Sequence, residues 1–361
     1  MIMKKSLVLV LALAVLGACT KPAPAPEGTI ESKESVDVPF YGTTLKYTLV
    51  SNCDWKLTTS TVDVTPVKGS AGTTELSVVI PGNRTDAAVK ESFTVVFTNA
   101  DAVTAEKVVE INVPAPGVAY GGYTYGAKYF SDGNYWMTEN LHYVPEGVSV
   151  SEDPKNGSVW YPYSLEVKEG STKATVKEIL KDDASVAKFG LLYSAAQAFG
   201  VEAINKDNYK TLEGTKGICP EGWHIPSRAE LFALCGASNK FDGETSAPED
   251  NTSAVLWDPE VKYGNMAKSF EIGFNFYPVG VVFNGAYNTT IVAASKTDVE
   301  EFVGMNGLSY MLGSTGYTAN SGPQMSAIMS TFTDTYKKGR LNVAYANVKN
   351  GVSVRCVLDK K

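Results

Sequence analysis

Histidine is almost missing from this chain: 361 residues contain two, His142 and His224. Two isolated imidazoles argue against a His-rich zinc centre and leave little for a Ser-His or Cys-His nucleophile. No C-x-x-C pair occurs to replace them. Basic charge is also short. Lys and Arg total 32 against 39 Asp and Glu, with a pI near 5.1, so no strongly basic face is available for nucleic acid. The glycine-rich turns, Gly121-Gly122 among them, form neither G-x-G-x-x-G nor a phosphate loop. The apolar run Leu7 to Leu16 is too short to span a hydrocarbon core of ~30 Å.

What is present suits a folded, β-rich protein of about two domains. Hydrophobic residues make up 44% and charged residues 20%, enough to bury real cores. Residues 1–18 read as an export signal, with Lys4 and Lys5 before the apolar run and small residues at its end. Loss of those two lysines takes the net charge from −7 to −9, so anionic lipid would repel the mature chain. Leu16-Gly17-Ala18-Cys19 resembles the bacterial lipoprotein lipobox, which implies diacylglyceration of Cys19 and membrane attachment through lipid. Thr20 after the cysteine implies, by the same resemblance, the outer membrane. Residues 19–27, rich in Pro and Ala, read as an extended tether.

Residues 28–115 alternate apolar and polar side chains in short runs separated by turns. Ser35–Phe40, Lys46–Val50, Thr61–Thr65, Glu75–Ile80, Ser92–Phe97 and Lys107–Val113 predict an all-β, immunoglobulin-like sandwich. Ser51-Asn52-Cys53-Asp54-Trp55, Val64-Thr65-Pro66 and Gly82-Asn83-Arg84-Thr85 resemble the BACON family of Bacteroidetes-associated sandwiches, whose name implies carbohydrate binding. Trp55 either stacks on a sugar or packs in the core. Cys53 has no partner in this domain and reads as a buried or free thiol.

Residues 116–361 carry the more specific motifs. Trp136 to Leu141, Phe189-Gly190-Leu191-Leu192-Tyr193, Cys219-Pro220-Glu221-Gly222-Trp223-His224-Ile225-Pro226, Gly273 to Gly280 and Ser353-Val354-Arg355-Cys356-Val357 follow in order. That set resembles the Fibrobacter succinogenes major paralogous domain, which implies an α+β, C-type-lectin-like fold and export. Cys219 and Cys356 both lie in its motifs, and the resemblance pairs them as a disulfide. Two features depart from the pattern: Phe189 stands where tyrosine is usual, and 144–183 is longer and more polar.

Ser227-Arg228-Ala229-Glu230 is a capping box predicting a helix that buries Leu231, Leu234 and Cys235 and ends near Gly236. Ser194-Ala195-Ala196-Gln197 predicts a second, shorter helix. His224 has no evident nucleophile or orienting carboxylate beside it and reads as bonded to backbone beneath the first helix. Trp223 to Leu231 also resembles a motif of formylglycine-generating enzymes, but their C-terminal cysteine pair is missing, since Cys356 stands alone. The calcium tripeptides of sugar-binding lectins, Glu-Pro-Asn, Gln-Pro-Asp and Trp-Asn-Asp, are absent as well.

No catalytic residue, metal or cofactor is therefore expected. Trp160, Tyr161 and Tyr163, in the unusual polar segment, are the preferred ligand-contacting aromatics beside Trp55, with core packing as the other reading of each. The expected function is a lipid-anchored cell-envelope binding or adhesion protein that recognises a glycan or another surface protein. The alternative is a structural or assembly subunit of a surface filament or envelope complex.

Overall fold

The computed structural model describes residues 21–32, 38–169, 171, 173–237, 250–289, 308–319, 322–332 and 338–360. The signal segment and Cys19 lie outside the described residues. The chain divides into two units. One comprises the described parts of Met1–Gly82 with Val89–Val113, and the other Asn83–Ala88 with Pro114–Lys361.

The described residues of the first unit form eight strands: β1 (Gly28–Ser32), β2 (Thr43–Ser51), β3 (Asp54–Ser60), β4 (Asp63–Thr65), β5 (Lys68–Gly69), β6 (Gly72–Ile80), β7 (Val89–Thr98) and β8 (Thr104–Val113). They form two four-stranded sheets, in the orders β1-β2-β6-β4 and β5-β3-β7-β8. Alternation aims Tyr47, Leu49, Leu76, Val78, Phe93, Val95 and Phe97 into one shared core. Of the predicted run Ser35–Phe40, residues 35–37 lie outside the described residues and Val38 to Phe40 are not strand. Strands β1 and β3 were missed because their residues are largely polar.

The Pro/Ala segment is not a free tether over its described part. The side-chain amide of Asn99 donates to Pro24 O (2.8 Å) and that of Asn52 to Ala25 O (2.9 Å). A proline-rich stretch has no hydrogen bonds of its own, and these loop amides supply them.

The second unit continues with β9 (Gly117–Tyr120), β10 (Tyr123–Tyr129), β11 (Tyr135–Met137), β12 (Val159–Trp160), β13 (Tyr163–Val167), β14 (Ala174–Ile179), α1 (Asp183–Phe189), β15 (Leu192–Ser194), α2 (Ala195–Phe199), β16 (Trp223–His224), α3 (Arg228–Cys235), β17 (Trp257–Asp258), β18 (Tyr263–Asn265), α4 (Met266–Glu271), β19 (Val282–Phe283), β20 (Ala286–Tyr287), β21 (Leu308–Ala319), β22 (Gly322–Thr331), β23 (Arg340–Asn347), β24 (Gly351–Val352) and β25 (Val357–Leu358). Strand β25 pairs with both β11 and β16, which brings the end of the chain back to the beginning of the unit. The Cys219–Cys356 disulfide closes the same region across 137 residues, with its Cα atoms 5.9 Å apart.

Both predicted capping sites start helices. Ser227 and Glu230 form the complete reciprocal box of α3, Gly236 caps it in the left-handed region, and Leu231, Leu234 and Cys235 are buried. At α2 Ser194 caps Gln197 N, but the Gln197 side chain instead accepts from the Ser158 hydroxyl (2.9 Å). Helices α1 and α4 were not foreseen. They are capped by Asp182 and Asn265, and at seven and six residues they are too short to show a helical period.

Candidate binding site

The strongest organising feature of the second unit is one buried cation. Arg355 is the lone charge in the run Gly351–Val357 and is fully buried. Its Nε and Nη2 donate to Asn140 Oδ1 (3.2 and 2.9 Å), Nη2 also to Asn275 O (3.1 Å), and Nη1 to Phe274 O. The guanidinium lies 4.4 Å from the Phe274 ring centroid. Burial pulls its pKa down to about 9, against the opposing influence of Glu139 and Tyr277, so it stays protonated at neutral pH. Asn140 is fixed in turn by donating to Phe189 O (2.9 Å). Gly190 follows with φ 75, where a Cβ would lie 2.5 Å from Asn140 Cβ. The blocks around Asn140, Phe189 and Phe274 thus converge on Arg355, which lies in a fourth.

A groove of about 340 Å³ opens beside this cluster, lined among others by Tyr123, Thr138, Glu139, Lys188, Asn275 and Tyr277. Asn275 has φ 55, and its backbone is held by Ser269 O on one side and Arg355 on the other. Its side-chain amide makes no hydrogen bond among the described residues and is available to a ligand. The Lys188 ammonium lies 5.4 Å from the Tyr277 ring centroid. Glu139 Oε2 is buried without a partner. Burial and then the Glu139 carboxylate raise the Tyr123 pKa.

Tyr123 also belongs to an aromatic strip. Its ring lies 4.5 Å from His142 and 4.9 Å from Tyr125, while the rings of Tyr120 and Tyr143 lie 4.4 Å apart, tilted by 39°. Tyr125 is buried; Tyr120, Tyr123, His142 and Tyr143 are half-exposed. The β9–β10 turn needs Gly121 at φ 60, and a Cβ there would sit 2.5 Å from the Tyr143 ring. Burial lowers the His142 pKa despite the charge of Glu139, so this imidazole is neutral at pH 7. Flat half-exposed rings beside a carboxylate, an amide and an ammonium can bind a ligand with apolar faces and hydroxyl or amide edges.

His224 is placed differently from expectation. It is not bonded to backbone but lies between two carboxylates: Nδ1 is 2.6 Å from Asp359 Oδ1, and Nε2 is 3.1 Å from Glu230 Oε2. Burial opposes its protonation, but the hydrogen bonds and charges of Glu230 and Asp359 outweigh it and raise the pKa. Glu230 is correspondingly lowered, its own burial being outweighed by His224 and Ser227. The Ser227 hydroxyl donates to Glu230 (2.8 Å), so the set works as a clamp from α3 to the C-terminal segment.

The aromatic residues favoured from sequence do not form a platform. Trp55 is 3% exposed and packs in the sandwich core, where β3 turns it inward. Trp160 and Tyr163 are 4% and 0% exposed. Trp160 Nε1 donates to Asp153 O (3.1 Å) and Asn156 O (3.0 Å), and the Tyr163 hydroxyl lies 2.9 Å from Val281 O. They and Leu165 form the core beneath the β13–β14 hairpin, which is the use the long polar insertion makes of them. Tyr161 alone of the four is half-exposed. Cys53 is a half-buried free thiol. The strip and groove were missed because their members lie far apart in the chain; the signal was a solitary arginine inside an apolar run, which requires partners.

The second unit is a disulfide-closed, β-rich domain whose sequence blocks converge on a buried arginine. Residues 132–358 match the model of the Fibrobacter succinogenes major domain, and the chain belongs to that family. No curated protein and no solved structure matches the chain.

Proposed function

We propose that this is a lipid-anchored cell-envelope protein that recognises a glycan or another surface protein without catalysis. The observation that carries the reading is the strip Tyr120, Tyr123, His142 and Tyr143 running into the groove of Glu139, Lys188 and Asn275. Half-exposed rings stack on apolar sugar faces, and the groove groups bond hydroxyls. In this reading Cys19 carries the lipid and holds the chain on the outer membrane. The first unit is a BACON-like, immunoglobulin-like module, and the second is a lectin-like head, an assignment supported by the return of β25 to β11.

The test is a glycan array probed with the whole mature chain and with Tyr123→Ala and Asn275→Ala. Binding that both substitutions weaken at least tenfold supports the reading. No binding to any glycan, together with a stoichiometric protein partner in envelope pull-downs, moves the proposal to the assembly subunit.

A further inference from the structure

The segment before the sandwich is bonded to its loops along almost its whole described length. Ala23 N donates to Asp101 Oδ2 (2.6 Å), Asn99 Nδ2 to Pro24 O (2.8 Å), and Asn52 Nδ2 to Ala25 O (2.9 Å). Glu27 N donates to Asn52 Oδ1 (2.9 Å), and Asn52 N returns a bond to Glu27 O (3.1 Å). Pro26 is buried, and the segment runs directly into β1. Two asparagines act here as a neighbouring strand would, giving ladder-like bonds to a chain that makes none itself.

We infer that this strap sets the loops 52–54 and 99–101 of the sandwich against the lipid headgroups. The inference rests on the proposed lipidation of Cys19. Only residues 20–22 lie between Cys19 and the first strapped residue, a reach of at most ~14 Å at 3.3–3.6 Å per residue. A free tether over 19–27 would allow about twice that. The loops carry Asn52, Asp54, Asn99 and Asp101 with no exposed large apolar side chain, so they rest among polar headgroups and do not enter the acyl layer. The partner is therefore the headgroup surface of the membrane that holds the lipid anchor.

The test uses the full lipidated chain in phosphatidylcholine vesicles carrying a nitroxide on some headgroups. A fluorophore is placed through Ala100→Cys, or through Lys90→Cys ~30 Å away along β7, both in a Cys53→Ser background. The label at 100 should be quenched several-fold more than the label at 90. Insertion of ten Gly/Ser residues between Thr20 and Lys21, which leaves the sandwich intact, should remove the difference. Asn52→Ala with Asn99→Ala should reduce it. Equal quenching at the two positions in an acylated chain, or a difference that survives the insertion, overturns this inference alone. An N-terminal peptide without acyl mass overturns the lipid reading and this inference with it.

Discussion

Arg355 and His224, whose partner Asp359 lies four residues after Arg355, are basic side chains held in opposite ways. Arg355 is fully buried among neutral oxygens, from Asn140, Phe274 and Asn275, and no carboxylate touches it among the described residues. His224 is partly exposed between two carboxylates, Glu230 and Asp359. The first arrangement uses a charge as a geometric hub, because a planar fork can meet several carbonyls at once. It does not depend on pH near neutrality. The second is an ion pair whose strength depends on the imidazole holding its proton.

Breaking the hub should have the largest effect. Arg355→Met would leave Asn140 Oδ1 and two backbone carbonyls buried and unpaired at about 1–3 kcal/mol each. Urea denaturation should show the second unit destabilised by several kcal/mol or unfolded, and Arg355→Lys should rescue only part, since it lacks the fork. A midpoint within error of wild type for either variant would refute the hub.

Next in size is the disulfide. Cys219→Ser with Cys356→Ser should cost roughly 2–5 kcal/mol, because a loop closed across so many residues is lost. The measurement is the same titration, compared with wild type under oxidising and reducing conditions; reduction should have no further effect on the variant.

Removing Glu230 attacks the clamp and the helix cap together. Glu230→Ala should cost about 1–2 kcal/mol, as expected for the lost capping-box bonds to Ser227 and the lost partner of His224. Circular dichroism during thermal unfolding should register it as a lowered Tm with the native spectrum retained.

The smallest effect is the pH profile of the clamp. His224 is raised above its ordinary 6.5, so its contribution is complete below about 6.5 and declines as pH rises through the higher native value. Glu230 is lowered from 4.5, so its contribution is present above that value and is lost as pH falls through the lower native one. The clamp is therefore strongest between roughly 4.5 and 6.5. His224→Gln should flatten the alkaline limb of stability against pH. An unchanged limb would show that the pair contributes nothing.

Legibility followed the range of the interaction. The α3 capping box and its buried face were readable because both depend on residues three or four apart. The sandwich was readable through strict alternation at β2, β6 and β7, whereas the polar β1 and β3 were hidden because their neighbours, and not their composition, make them strands. The candidate site was largely illegible. Trp160 and Tyr163 looked like a surface platform because polar residues surround them in sequence, yet the insertion folds back and buries them. His224 looked unpartnered because Asp359 lies 135 residues away.

By itself the sequence determined the two-part β-rich organisation, the starts of α2 and α3 and, through its family motifs, the pairing of Cys219 with Cys356. These rest on local periodicity, local hydrogen-bond chemistry and motif order. Only the tertiary structure decided which aromatics face solvent, where the two histidines find their partners and that the Pro/Ala segment is strapped down. Each of those depends on which distant backbone or side-chain group fills the space around a residue, and composition and spacing carry no record of that.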